Sequence, residues 1–78
     1  MAKIIRLEVH GKNGIGVYEV GEKEYFTKRV IGAIHDNSYE FEDSILLTYE
    51  IVDTAGKTIA RFENGTYSVW YEEERNDG

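Results

Sequence analysis

Residues 45–72 limit this chain to an antiparallel β architecture, because three strand-like runs follow one another there with only short turn signals between them. Ile45 to Asp53 is dense in β-branched and aromatic side chains. Lys57 to Glu63 alternates, and Thr66 to Glu72 alternates again, with Tyr67, Val69 and Tyr71 opposed to Ser68 and Trp70. Between the last two runs, Asn64-Gly65 suits the positive φ angles of a two-residue type I′ hairpin. That turn predicts Glu63 opposite Thr66, Phe62 opposite Tyr67 and Ala60 opposite Val69, with Ile59 beside Trp70 on the other face. The preceding segment, Asp53-Thr54-Ala55-Gly56-Lys57, predicts a type I turn closed by a left-handed glycine bulge, with Asp53 accepting backbone N–H groups. A shift of one residue decides whether Leu47, Tyr49 and Ile51 share a face with Phe62 or with Trp70.

The N-terminal part reads as strand, loop, strand: Lys3 to His10, Gly11 to Gly14, and Ile15 to Val20. Residues 22–35 have two readings. As strand they are rich in Tyr, Phe, Thr, Val and Ile. As helix, Phe26, Val30, Ala33 and Ile34 would share a stripe, with Glu22 and Glu24 in the first turn. Gly32 and the β-branched residues weigh against the helix, and strand is the preferred reading. Residues 36–44 form an acidic loop or irregular edge, and 73–78 a frayed acidic tail beyond a single domain over 1–72. Five or six short strands must hide their edges, so the expected fold is an all-β, small antiparallel barrel (SH3-like or OB-like) or a bent meander. The alternative is an α+β order ββαβββ.

At 78 residues the core is barely large enough for independent folding, and no cysteine is present to staple it. The apolar and aromatic content is nonetheless too high for a disordered acidic chain. The first residues carry charge every few positions and lack the apolar run of a signal peptide, and no stretch is long enough for a membrane span. These features predict a cytoplasmic protein.

Charge is spread unevenly. Through Arg29 six cations face four carboxylates, but from Val30 onward Lys57, Arg61 and Arg75 face eleven, and no Lys or Arg lies between Val30 and Gly56. The net charge of −6 argues against a surface that holds duplex DNA, which needs clustered Lys and Arg. Acidic surfaces keep small proteins soluble, and they also steer basic partners.

The candidate chemical motifs are weak. Gly56-Lys57-Thr58 resembles the end of a phosphate-binding loop, but the earlier glycine is replaced by Ile51 and a strand follows. Gly11, Gly14 and Gly16 fit a hairpin better than a nucleotide cradle. His10 and His35 lack metal-ligand spacing, and Asp36, Glu40, Glu42 and Asp43 lack the order of a calcium loop, so no metal or cofactor is expected. Asn64-Gly65-Thr66 matches a glycosylation sequon but reads more simply as a turn. Ser38, Ser44 and Ser68 have no nucleophile context, and an enzyme is not expected.

Six tyrosines and one tryptophan exceed what so small a core can bury with satisfied polar tips. Rings left outside would act as contact anchors. The predicted partner-binding patch comprises Tyr67, Trp70, Tyr71, Glu72, Glu73 and Glu74. In composition the chain is similar to accessory proteins of phages and mobile elements, some of which inhibit host defence enzymes; the likeness carries over no residues. The leading expectation is a small non-catalytic binding protein, an inhibitor or modulator that docks on a basic, nucleic-acid-binding protein surface. A second is a small barrel that binds single-stranded nucleic acid or a nucleotide, with Lys3, Arg6, Lys12, Lys28 and Arg29 converging on exposed rings. A third is a self-associating structural protein, such as a dimer that covers its edge strands.

Overall fold

The computed structural model describes residues 3–72. They form eight short strands: β1 (Ile4–Gly11), β2 (Gly14–Glu19), β3 (Ile31–Asp36), β4 (Tyr39–Phe41), β5 (Ser44–Leu46), β6 (Thr48–Asp53), β7 (Thr58–Glu63) and β8 (Thr66–Tyr71). The fold is all-β, with two three-stranded antiparallel sheets ordered β2-β1-β8 and β3-β6-β7, and a separate β4-β5 hairpin. No sheet closes on itself, and no helix forms among the described residues, so the ββαβββ alternative is not adopted.

Strand alternation explains which faces meet. In the first sheet Leu7 lies between Tyr18 and Val69, and Val9 between Gly16 and Tyr67. In the second, Ile51 lies between Ile34 and Ala60, and Tyr49 pairs with Phe62. These two inward faces stack on one another, which removes both from water. Ile4, Leu7, Ile31, Ile34, Tyr49 and Ile51 form the buried cluster, and Leu7 and Ile51 are fully enclosed. Each such side chain contributes about 1.5–3 kcal/mol through burial. Aromatic pairs join the sheets: Tyr18 meets Phe62 at 5.2 Å between ring centroids and Tyr49 meets Tyr67 at 4.9 Å. Burial raises the pKa of Tyr49 above its ordinary value, and the nearby Asp36 carboxylate adds to the shift.

The turn at Asp53 forms as its residues predict. Asp53 Oδ1 accepts N–H groups from Ala55 (2.9 Å) and Lys57 (2.8 Å), and Gly56 sits at φ +84°. The register places Tyr49 opposite Phe62, so Tyr49 and Ile51 share the face of Phe62.

Three expectations need correction. Asn64-Gly65 is a corner between sheets, not a hairpin: β7 pairs with β6 and β8 with β1, so the predicted Glu63–Thr66, Phe62–Tyr67 and Ala60–Val69 pairs do not form. Only Asn64 takes a positive φ (+54°), and its N–H goes to Leu47 O at 3.2 Å. Swinging β8 across the molecule buries Tyr67 and Val69 between two sheets, whereas a flat meander would leave one of its faces wet. Within 22–35, only Ile31–Asp36 is strand; residues 22–30 are a loop stitched by one bridge, Lys23 to Val30. Residues 36–44 are more ordered than a loop, since most of them build β4 and the turn into β5. The predicted tail, 73–78, lies outside the described residues.

Candidate docking surfaces

The predicted patch is distributed over different surfaces. Tyr67 points inward against Tyr49, with its hydroxyl accepting the Gly65 N–H at 3.1 Å. Trp70 lies on the outer face of β8, where the Arg6 guanidinium stands 5.2 Å from its ring. Arg6 is also paired with Glu8 (2.9 Å) and approaches Glu19 (3.7 Å). Tyr71 and Glu72 are exposed at the end of the sheet, where the Glu72 N–H bonds Lys3 O. Glu73 and Glu74 lie outside the described residues. Trp70 and Tyr67 are thus on opposite faces, and Tyr71 borders a different feature. That feature is a groove of about 950 Å³ between the two sheets, lined by residues including Ile5, Val20, Ile34, His35 and Tyr71.

Two projections that the sequence reading did not single out expose larger apolar groups. The first is the β4-β5 hairpin. Tyr39 pairs with Leu46, Glu40 with Ile45 and Phe41 with Ser44, and among the described residues neither strand pairs with any other. Tyr39, Phe41 and Ile45 are 52, 56 and 71% exposed. Glu40, Glu42 and Asp43 accompany them, with no Lys or Arg in the segment. The turn residues Glu42 and Asp43 both have positive φ, +47° and +66°, as a two-residue primed turn requires. The base of this arm is clamped. Asn37 N–H bonds Thr48 O (2.8 Å), Thr48 N–H bonds Ser38 Oγ (3.0 Å), and Ser38 N–H bonds Asp36 Oδ1 (2.9 Å).

The second projection is the tip of the loop between β2 and β3. Tyr25 and Phe26 are 75 and 83% exposed, with their rings edge to face at 5.1 Å. Lys28 Nζ lies 4.7 Å from the Tyr25 centroid. The buried Glu24 carboxylate fixes this tip by accepting the N–H groups of Phe26 and Thr27, each at 2.8 Å. Those bonds, that from Phe26 first, hold Glu24 below the usual carboxylate range. Arg29 ties the loop to the Asp53 turn through an ion pair.

The five cations proposed to converge on rings are dispersed. Lys3 lies at the groove, Arg6 on the outer face of the first sheet, Lys12 in the β1–β2 turn, and Lys28 and Arg29 at the tip. Among the described residues no group of three or more His, Asp or Glu is arranged to hold a metal. His10 instead bonds Ser68 Oγ at 2.9 Å, and His35, at the groove, is paired with Glu50 in the β3-β6 ladder. Among the described residues no helix is long and apolar enough to cross a membrane. Comparison with protein-family models, curated proteins and solved structures finds no match.

The composition gave a partial signal for both projections. Tyr39 and Phe41 alternate with Glu40 and Glu42, a pattern that a half-buried strand and an exposed hairpin share. Tyr25-Phe26 resembles core in a one-dimensional pattern, and only the buried bonds of Glu24 reveal the turn that pushes both rings outward.

Proposed function

We propose that this protein is a small acidic, non-catalytic docking module whose contact arm is the β4-β5 hairpin. The carrying observation is that this hairpin shares no ladder with the other described residues, yet exposes Tyr39 and Phe41 on one of its faces and Ile45 on the other, within a run of carboxylates. Aromatic anchors surrounded by charge are what a protein interface uses: the rings supply burial and the charges supply steering. The partner surface is therefore basic with apolar hollows, as on proteins that bind nucleic acid, and occupying it would inhibit or modulate that partner. A cysteine-free chain suits the cytoplasm as the setting. The hydrogen-bonded base of the hairpin limits the ordering cost on binding.

Affinity capture from the native host, with identification of the captured protein at about 50 mM and about 500 mM salt, tests this reading. The wild type and an Ile15→Ser control should retain one basic partner at low salt and release it at high salt. Phe41→Ser and Glu42→Lys/Asp43→Lys should lose it. Equal retention at both salt levels, or by the hairpin variants, would overturn the proposal. The single-stranded nucleic-acid reading has less support, because Arg6 and Arg29 are already paired with carboxylates.

A further inference from the structure

The two projections sit at opposite ends of one strand. β3 begins at Ile31, directly after the loop that carries Tyr25 and Phe26, and ends at Asp36, directly before the β4-β5 hairpin. Six residues of strand span about 17–20 Å, so neither projection reaches the other within one molecule. Their charges are opposite in sign. Asp36, Glu40, Glu42 and Asp43 mark the hairpin end, and no cation of the sequence falls between Val30 and Gly56.

At the loop end, Arg29 is taken up by Asp53 and the carboxylate of Glu24 by backbone N–H groups. The Asp53 turn, which that ion pair fastens to the loop, adds Lys57. Glu24 keeps its charge in those bonds, so Lys23, Lys28, Arg29 and Lys57 exceed Glu22, Glu24 and Asp53 by one; none of the three lysines joins an ion pair among the described residues. Each end also carries a pair of exposed rings, Tyr25 and Phe26 at one and Tyr39 and Phe41 at the other.

We infer that a second copy of this chain is an occupant of the hairpin, seated through its Tyr25–Phe26 tip. The contact joins unlike surfaces, so a pair keeps a free tip on one molecule and a free hairpin on the other, and the association continues head to tail. Pairing of like edges, β2 with β2 or β8 with β8, would instead stop at a dimer. Screening of the lysine–carboxylate attraction makes the assembly salt-sensitive. It also covers the arm assigned above to partner docking, so self-association and partner binding compete.

Molar-mass measurement by light scattering, from micromolar to millimolar protein, tests the inference at about 50 mM and about 500 mM salt. The wild type should grow beyond dimer with concentration at low salt and revert to monomer at high salt. A tip variant, Tyr25→Ser/Phe26→Ser, and an arm variant, Tyr39→Ser/Phe41→Ser, should each stay monomeric alone. Mixed in equal amounts, they should form a one-to-one dimer and nothing larger, because each supplies the end that the other lacks. Lys23→Glu/Lys28→Glu and Glu42→Lys/Asp43→Lys repeat the design without removing any ring. A monomeric wild type at low salt, association of either single variant, or a mixture that stays monomeric would overturn the inference. A wild-type monomer that still captures a basic partner removes the assembly alone and leaves the docking function standing.

Discussion

Arg29 reaches across 24 positions of sequence to place its guanidinium on the Asp53 carboxylate. The same carboxylate organises its own turn through the N–H groups of Lys57 and Ala55. One side chain thus anchors both the loop that bears the exposed rings and the connection between β6 and β7. Its pKa lies below the ordinary Asp range, chiefly through the Lys57 N–H, with Arg29 and Ala55 adding to the effect. A depressed folded value means that this stabilisation is complete above the ordinary Asp range and is lost as pH falls through the folded value. Asp53→Asn should therefore lower the melting temperature at neutral pH and flatten its decline on acidification. Thermal melts of both proteins across pH 2–7 would check this, and parallel curves would contradict it.

Glu24 makes the same type of contribution at the loop tip. Its carboxyl is also depressed, first by the Phe26 N–H, so the cap is intact above the ordinary Glu range and fails as the group protonates below it. Glu24→Ala should destabilise the chain by about 1 kcal/mol, as loss of a capping oxygen does elsewhere. Denaturant titration gives the magnitude. Faster amide exchange at Phe26 and Thr27 would show that the cap itself is lost.

Gly32 is held by a backbone approach that no side chain permits. A Cβ there would lie 2.5 Å from Asp53 O and 2.8 Å from Thr54 Cα, where β3 bulges against β6. Gly32→Ala should cost about 1–3 kcal/mol, because backbone must move to make room. Gly11→Ala is the matched control, since its Cβ meets Gly14 O at an ordinary 3.6 Å. Equal melting temperatures for the two variants would refute the assignment.

The hairpin turn uses acids where a smaller residue would fold more easily. A non-glycine residue at positive φ costs about 1–2 kcal/mol, and both Glu42 and Asp43 sit there. Glu42→Asn/Asp43→Gly should raise the stability of the protein while weakening salt-dependent binding. Chemical denaturation and the light-scattering assay, run on the same sample, test the two effects separately.

Trp70 provides an internal optical probe. With Arg6 5.2 Å from its ring, and Arg6 paired in turn with Glu8, the indole face is already occupied. Addition of single-stranded oligonucleotides should leave Trp70 emission unchanged, whereas Arg6→Ala should shift it. A saturable change on adding oligonucleotide would favour the nucleic-acid reading over protein docking.

The strand content of this fold could be read from alternation, and the Asp53 turn from its residue types, because both depend on neighbours in sequence. The partner of each strand could not. Phe62 and Tyr67 satisfy a hairpin register across Asn64-Gly65 as well as they satisfy two separate sheets, and only burial of the second face chooses between them. The candidate site failed to show for the same reason. Alternation puts Tyr67 and Trp70 on opposite faces of the last strand but does not say which face is buried: Tyr67 faces Tyr49, and Trp70 faces solvent and Arg6. Tyr25 and Phe26 were concealed by their own hydrophobicity, which implies burial until a local turn overrides it.

Pairing of β8 with β1 sets Tyr71 opposite Ile4 and Thr66 opposite His10, so two segments from opposite ends of the described chain must find each other before the first sheet is whole. Formation of that ladder is a late, non-local event, which favours slow folding over fast. A chain cut or still growing ahead of Thr66 leaves Leu7 and Val9 with one flank bare. Proteolysis near Asn64 should consequently dismantle the whole molecule, and release of an intact smaller piece is not expected.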